Sequence, residues 1–298
     1  MPAATQSPPA TDLATHRPNQ SEDVYNRVFW LAFAANLTMV AANALTFRFA
    51  ELVVFLGGTE QTTGEIVRAG MFGAIACRWF LGRWLDHYGT RRVWLLSTLM
   101  FATGAIVFIF CREISWTIYI ARIAFACGIA GMSTAGIVHI QNQVPAHRRT
   151  EVIGNFGSSG FLGMVLGSQL GDLIFYLTSD GFDRFNILFG LAAALAVGYL
   201  VLVLLITRGV EHSRPEETPG PLPLLRQYWP GMILAVAMMM GVSFTVTSVF
   251  LTRMVTERGL GGIGMFFLAY CTAAFFFRVA SSRWANRFGS DNLVLMGL

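Results

Sequence analysis

Two charged side chains sit inside long apolar runs, and any chemistry of this chain starts with them. Arg122 stands in Tyr119-Ile-Ala-Arg-Ile-Ala-Phe-Ala-Cys-Gly128, and Asp172 closes a run of spaced glycines, Gly154, Gly163, Gly167 and Gly171. A charge at the centre of a bilayer costs about 2.5–3.5 kcal/mol on insertion scales, which points both toward interior surfaces; for Arg122, about two turns into its span, the other reading is snorkelling to the outer surface. If the segments carrying them run antiparallel, the two lie at matching depth. They then form an ion pair that a proton or an anionic solute can break. Asn36 and Asn43, with Ser243 and Thr247, add neutral polar groups on two further segments. This is the chemistry of binding and release rather than of bond-making. There is no P-loop, no His-Glu zinc motif and no nucleophile elbow. Gly259–Gly264 spells G-x-G-x-x-G with no strand before it, which reads as a turn. Cys77, Cys111, Cys127 and Cys271 lack metal-ligand spacing. No catalytic residue, metal or cofactor is expected, and the chain does not read as an enzyme.

The elements that hold these residues must be membrane helices. Hydrophobic residues make up 54% and charged ones only 13%, against about 25% charged in soluble domains. Mean hydropathy is +0.56. With about 20 apolar residues needed per crossing, spans fall near Val28–Ala50, Ile66–Leu81, Val93–Cys111, Trp116–Ile140, Val152–Leu177, Phe185–Ile206, Gly231–Leu251 and Ile263–Ala280. A ninth starts near Leu293. All 21 basic residues are arginine. They cluster by loop instead of along one soluble face, which argues against nucleic-acid binding. Twelve loop arginines on one side against five on the other put the N-terminus and the loop after the second span in the cytoplasm of a multi-pass protein of the cell (inner) membrane. Residues 1–26, rich at first in Pro, Thr, Ser and Ala, lack signal-peptide features and read as a disordered tail. The Pro-rich, charged stretch 208–228 reads as a linker between a bundle at 27–207 and a second one at 229–298.

The loop after the second span carries the most specific pattern, Gly82-x3-Asp86-x2-Gly89-x-Arg91-Arg92. Gly82 lets a neighbouring backbone approach, and Gly89 supplies a positive φ for the turn. Asp86 suits a helix N-terminus or an arginine, and Arg91 and Arg92 suit the headgroup layer. The pattern recurs 200 positions later: Arg78, Arg83, Trp84 and Gly89 return as Arg278, Arg283, Trp284 and Gly289, while Ser282 and Asn286 replace Gly82 and Asp86. A parallel internal repeat of two helical halves explains it.

The loop resembles the one between helices two and three of major facilitator superfamily (MFS) transporters. That resemblance implies an all-α fold of MFS-type helical bundles, here a complete six-helix N-terminal half and a partial C-terminal half of two helices and the start of a third. The expected length would then belong to a C-terminally shortened or fragmentary chain. Arg122, six residues before Gly128, resembles the family's fourth-helix pattern, which implies proton coupling or substrate contact. The family's cavity is lined by helices one, four, seven and ten, which makes Asn36, Asn43, Ser243 and Thr247 candidate lining groups. Arg78 and Arg278 would brace the cytoplasmic gate. The glycines of the fifth span are similar to those of drug/proton antiporters, with Ser168 in place of the motif's proline. As a packing seam they need no such role. Secondary active transport of a small organic solute by alternating access follows, proton-coupled, leaning to efflux, by a monomer in the lipid bilayer. The other reading is a shortened membrane protein that does not transport, or a scaffold.

Overall fold

The structure, a computed structural model, describes residues 24–145, 148–209, 220–227, 229, 231–259 and 262–288; the side chains at 150, 252, 256 and 278–288 are outside that description. The expected tail up to residue 23, most of the linker, Gly289 and the ninth span at Leu293 lie outside the described residues.

All described regular structure is helical. Helix α1 spans Arg27–Leu45 and a single 3-10 turn, Thr46–Arg48, joins it to α2, Phe49–Phe55. Then follow α3 Glu60–Tyr88, α4 Thr90–Phe110, α5 Trp116–Gln143, α6 Arg149–Leu177 and α7 Phe182–Ile206. Helices α8 Pro221–Gln227, α9 Met232–Glu257 and α10 Gly264–Phe288 complete the order. Six of these stretches are long and apolar enough to cross a membrane: Arg27–Phe55, Thr90–Phe110, Trp116–Gln143, Glu151–Leu177, Phe182–Ile206 and Met232–Leu251. Helix α3, expected as a span, has 29 residues, about 43 Å of helix, but Arg68, Arg78 and Arg83 lower its hydropathy. In α10 the apolar stretch is only Gly264–Phe277.

The helix ends follow from their sequence. Asn26 caps α1 by accepting from the backbone N–H groups of Val28 and Phe29 at 3.0 and 3.1 Å. Thr59 and Thr62 cap α3 reciprocally. Helix α8 is a departure from the expected unstructured linker. Proline at its first position has the helical φ already fixed and no N–H to leave unpaired, and a Leu-rich turn follows.

The first span is broken, where the sequence suggested one unbroken helix from Val28 to Ala50. The Thr46 hydroxyl donates to the Asn43 carbonyl at 2.7 Å, and the chain tightens into the 3-10 turn there. Such a turn re-aims the side chains after it: Thr46 and Phe47 go one way and Arg48 another.

The core lies where α4 packs on α5 and α7, α1 on α6 and α7, and α3 on α5. Phe101, Phe108, Phe125 and Phe189 fill it with ring-to-ring contacts 4.5–5.9 Å apart. Trp94 donates its Nε1–H to the Tyr199 hydroxyl at 2.5 Å, both fully buried. At the chain's entry into α1 the Tyr25 hydroxyl donates to Glu151 at 2.7 Å and accepts from Asn155, fastening α1 to α6. Burial, then the adjacent Glu151 carboxylate, pushes the Tyr25 hydroxyl above its ordinary pKa.

Gly89 ends α3 and begins α4 with φ +85° and ψ 152°, a region open essentially to glycine alone. Arg91 and Arg92 therefore sit at a helix N-terminus, which disfavours cations by about 0.3–1 kcal/mol. An anionic leaflet would favour each arginine by about 1 kcal/mol, enough to offset the dipole if the turn lies in the headgroup layer. Gly89→Ala is expected to lower stability by about 1–3 kcal/mol, read as a drop in the thermal midpoint of the purified protein. An unchanged midpoint would show that the turn tolerates a side chain.

Candidate functional site: a cavity under Arg122

A cavity of about 590 Å³ opens where α1, α3, α5 and α9 meet, within the usual size of small-molecule sites. Each helix gives it one face. From α3 come Val67, Met71, Ala74, Ile75 and Arg78, and from α5 Arg122, Phe125, Ala126 and Ile129. Both sets follow the i, i+3, i+4, i+7 pattern of one helical stripe. Helix α9 adds Met238, Gly241, Phe244, Thr245, Ser248 and Val249, while the broken first span adds Asn43, Thr46, Phe47, Phe49 and Ala50. The polar groups are few: Asn43, Thr46, Arg78, Arg122, Thr245 and Ser248. Among the described lining residues there is no acid.

Arg122 holds the unusual position. Its guanidinium lies 4.8 Å above the Phe49 ring and 5.7 Å from the Phe125 ring. Its Nη1 is shut off from solvent and has no hydrogen-bond partner among the described residues. Gly70 makes room beside it: a Cβ there would stand 3.0 Å from the Arg122 Cγ and 3.2 Å from its carbonyl oxygen. Two aromatic faces return about 0.5–2 kcal/mol each at best, and the sealed Nη1 has no acceptor among the described residues to offset its lost hydration. That cost bears on Nη1; the residue as a whole is half-buried on the cavity wall, where an acceptor on a ligand can approach it.

Asp172 does not pair with Arg122, as matching depth had suggested. Its partner is Arg48, whose Nη2 donates to Asp172 Oδ1 at 2.5 Å while Nη1 donates to Glu51 at 2.9 Å. The guanidinium also lies 4.0 Å over the Phe175 ring. The second Asp172 oxygen accepts the backbone N–H of Gly264 at 2.6 Å, so one carboxylate joins α6, the first span and the start of α10. Arg253 and Glu60, 3.5 Å apart, make another link at that same end of the bundle, opposite the Gly89 turn.

The other expected residues separate by location. Asn43, Arg78 and Arg122 line the cavity. Asn36 does not, and donates instead to the Ser159 hydroxyl at 2.7 Å, between α1 and α6. Ser243 and Thr247 also miss it: the Thr247 hydroxyl donates to the Ser243 carbonyl at 2.9 Å, and Thr245 and Ser248 occupy the lining face. Gly163 and Gly167 press on the α1 backbone, Gly171 is looser, and Gly154 is half-buried in α6. Gly82, Asp86, Arg91 and Arg92 are exposed around the turn, with no atom within 4 Å of a Cβ placed on Gly82. Arg78 and Asp86 are not paired with each other; two helical turns separate them by about 12 Å. Side chains of Arg278, Arg283 and Asn286, and all of Gly289, are outside the described residues. Reasoning from sequence missed Arg48, Glu51, Thr46, Phe49, Thr245 and Ser248. Arg48 bore the same signal as Arg122, a charge within an apolar run, but its place near a span end read as surface.

The sequence profile of the Major Facilitator Superfamily matches residues 29–298. The chain belongs to the Major Facilitator Superfamily. Among its relatives, a D-xylose transporter of Levilactobacillus brevis is 32% identical over 130 residues, 44% of this chain and 26% of that protein. The probable metabolite transport protein CsbC of Bacillus subtilis is 27% identical over 143 residues, 48% of this chain and 30% of that one. The myo-inositol transporter 3 of Cryptococcus neoformans is 31% identical over 102 residues, 33% and 17% of the two chains. These matched stretches span less than a third of the relatives' lengths. Among solved structures, a D-xylose-proton symporter superposes with a TM-score of 0.64 at 12% identity, over 88% of this chain and 69% of that one. The inward-open xylose transporter XylE of E. coli gives 0.53 at 14%, over 73% and 55%. At such identities these structures establish the shared fold, an all-α MFS bundle.

Proposed function

We propose that this superfamily member is a secondary active transporter that moves a small polar organic solute across the cell membrane by alternating access, as a monomer with its N-terminus and Gly89 turn in the cytoplasm. The observation that carries this reading is the cavity itself. It gathers the first, fourth and seventh spans, α1, α5 and α9, and adds α3. A pocket walled by helices from both sides of the linker changes shape when the two groups of helices rock. Two of the named relatives are a D-xylose transporter and a myo-inositol transporter, and a cavity of this size holds a solute of that kind.

Coupling to protons is part of the proposal. Asp172 is the carboxylate through which α6, the first span and α10 meet, so protonating it would loosen their junction. The glycines that suggested efflux serve the packing of α6 on α1, so they give the flow no direction.

The purified full chain in liposomes should accumulate labelled solute under an imposed pH gradient, with D-xylose, myo-inositol and D-gluconate as first probes. Vesicles loaded with the same solute should show counterflow. Flux no greater than in protein-free liposomes for all three would refute the transport reading. An Asp172→Asn protein that transports with unaltered proton dependence would refute the coupling.

A further inference from the structure

We propose that the solute bears an anionic group, a carboxylate or a phosphate, held by Arg122 and drawn in past Arg78. Passage of that solute across the membrane rests on the transport reading; its binding does not.

Three observations converge. The cavity has two guanidinium groups and, among the described lining residues, no acid to balance them. The Nη1 of Arg122 is sealed from solvent and lacks an acceptor. The one carboxylate expected to neutralise Arg122 is engaged elsewhere, since Asp172 is held by Arg48 and by the Gly264 N–H. A neutral polyol would bring hydroxyl acceptors but leave the charge uncompensated. A planar carboxylate or a phosphate matches the guanidinium in both charge and two-pronged geometry.

The arrangement along the axis fits the same solute. Helices α3 and α5 run side by side, with Gly70 against Arg122 and Cys77 against the Cys127 carbonyl. Arg78 therefore lies about 12 Å nearer the Gly89 end than Arg122 does. An anion approaching from that end meets the exposed Arg78 first and the half-buried Arg122 second. Asn43, Thr245 and Ser248 remain for the neutral, hydroxylated part of the molecule.

The test is binding to the detergent-purified full chain, followed by thermal shift and by direct titration at fixed ionic strength. Sodium D-gluconate, inorganic phosphate and D-glucose are compared, with nanodiscs containing phosphatidylglycerol as the lipid arm. Gluconate or phosphate should bind at least tenfold more tightly than glucose, and the stronger of the two identifies the group. Arg122→Gln should abolish that preference, and Arg78→Gln should weaken it less. Arg122→Gln should also raise the thermal midpoint of the unliganded protein, because it removes a cation whose Nη1 is sealed and without an acceptor. A merely structural Arg122 would lower it. The proposal is overturned if glucose binds as well as the acids, if no soluble anion binds in an Arg122-dependent way, or if phosphatidylglycerol alone restores stability. Transport of neutral sugars by a protein that ignores anions would leave the transporter reading standing and remove this one.

Discussion

Arg48→Met is expected to destabilise the protein more than Asp172→Asn, although each removes one side of the same 2.5 Å contact. Arg48 is shared: it serves Glu51 at 2.9 Å and Asp172 at 2.5 Å, with side-chain exposures of 8%, 9% and 18% in the order Arg48, Glu51, Asp172. Without it, two nearly buried carboxylates lose their common cation, and breaking a buried ion pair typically costs about 3–5 kcal/mol. Asp172→Asn leaves the Arg48–Glu51 pair neutral and keeps an amide oxygen for the Gly264 N–H. Its cost should be near that of one charge-assisted hydrogen bond, roughly 1.5–3 kcal/mol. Thermal midpoints of the two purified variants make the comparison. Cys271 adds a local reading, since it is buried beside Met164 and Phe267 in the cluster next to the Asp172–Gly264 contact. In Asp172→Asn, maleimide should modify Cys271 before Cys111 or Cys127. Equal midpoints, or a worse Asp172→Asn, would mean that Arg48 does not bridge two acids.

That bridge shows where the sequence stops being informative. Spacing and hydropathy give the depth of a charge along its helix axis, and depth alone made Arg122 a fitting partner for Asp172. Arg48 lies at an equally suitable depth. What separates the two arginines is azimuth, the direction in which each helix presents its side chain, and this is set by packing. The 3-10 turn at Thr46–Arg48 rotates Arg48 toward α6 in the middle of what looked like one regular helix. The same limit displaced the α9 lining from Ser243 and Thr247 to Thr245 and Ser248. A residue step turns a helix by about 100°, so small errors in rotation exchange faces. Features that depend on backbone chemistry or on gross burial cost were more legible. Gly89 adopts a conformation that glycine alone takes easily, and the cost of a charge in lipid favoured an interior position for Arg122 over snorkelling to the surface. The all-α membrane class followed from composition, because lipid leaves no other way to satisfy the backbone of long apolar segments.

Gly167→Ala should be among the most damaging single-methyl additions in the chain, while the same change at Gly171, one turn further on, should be harmless. A Cβ on Gly167 would stand 2.3 Å from the Ala41 carbonyl oxygen and 2.7 Å from the Ala44 Cβ, and one on Gly163 would stand 2.4 Å from the Leu37 carbonyl. These obstacles are mostly backbone, so no side-chain rotation relieves them. Helices α1 and α6 would have to separate by about 1 Å, at the roughly 1–3 kcal/mol typical of overpacking. The separation also stretches contacts spread along the whole interface: Tyr25 to Glu151 at 2.7 Å, Asn36 to Ser159 at 2.7 Å and Arg48 to Asp172 at 2.5 Å. Strain at one methyl therefore reaches both ends of the bundle. At Gly171 the nearest atom to a Cβ is Arg48 Nε at 3.7 Å, and at Gly82 nothing lies within 4 Å. There the helix-favouring effect of alanine, about 1 kcal/mol over glycine, should make both substitutions neutral or slightly stabilising. Yield of monodisperse protein and its thermal midpoint discriminate. If Gly167→Ala and Gly171→Ala melt together, α1 and α6 are not in backbone contact. The glycine stripe would then need a reason other than packing.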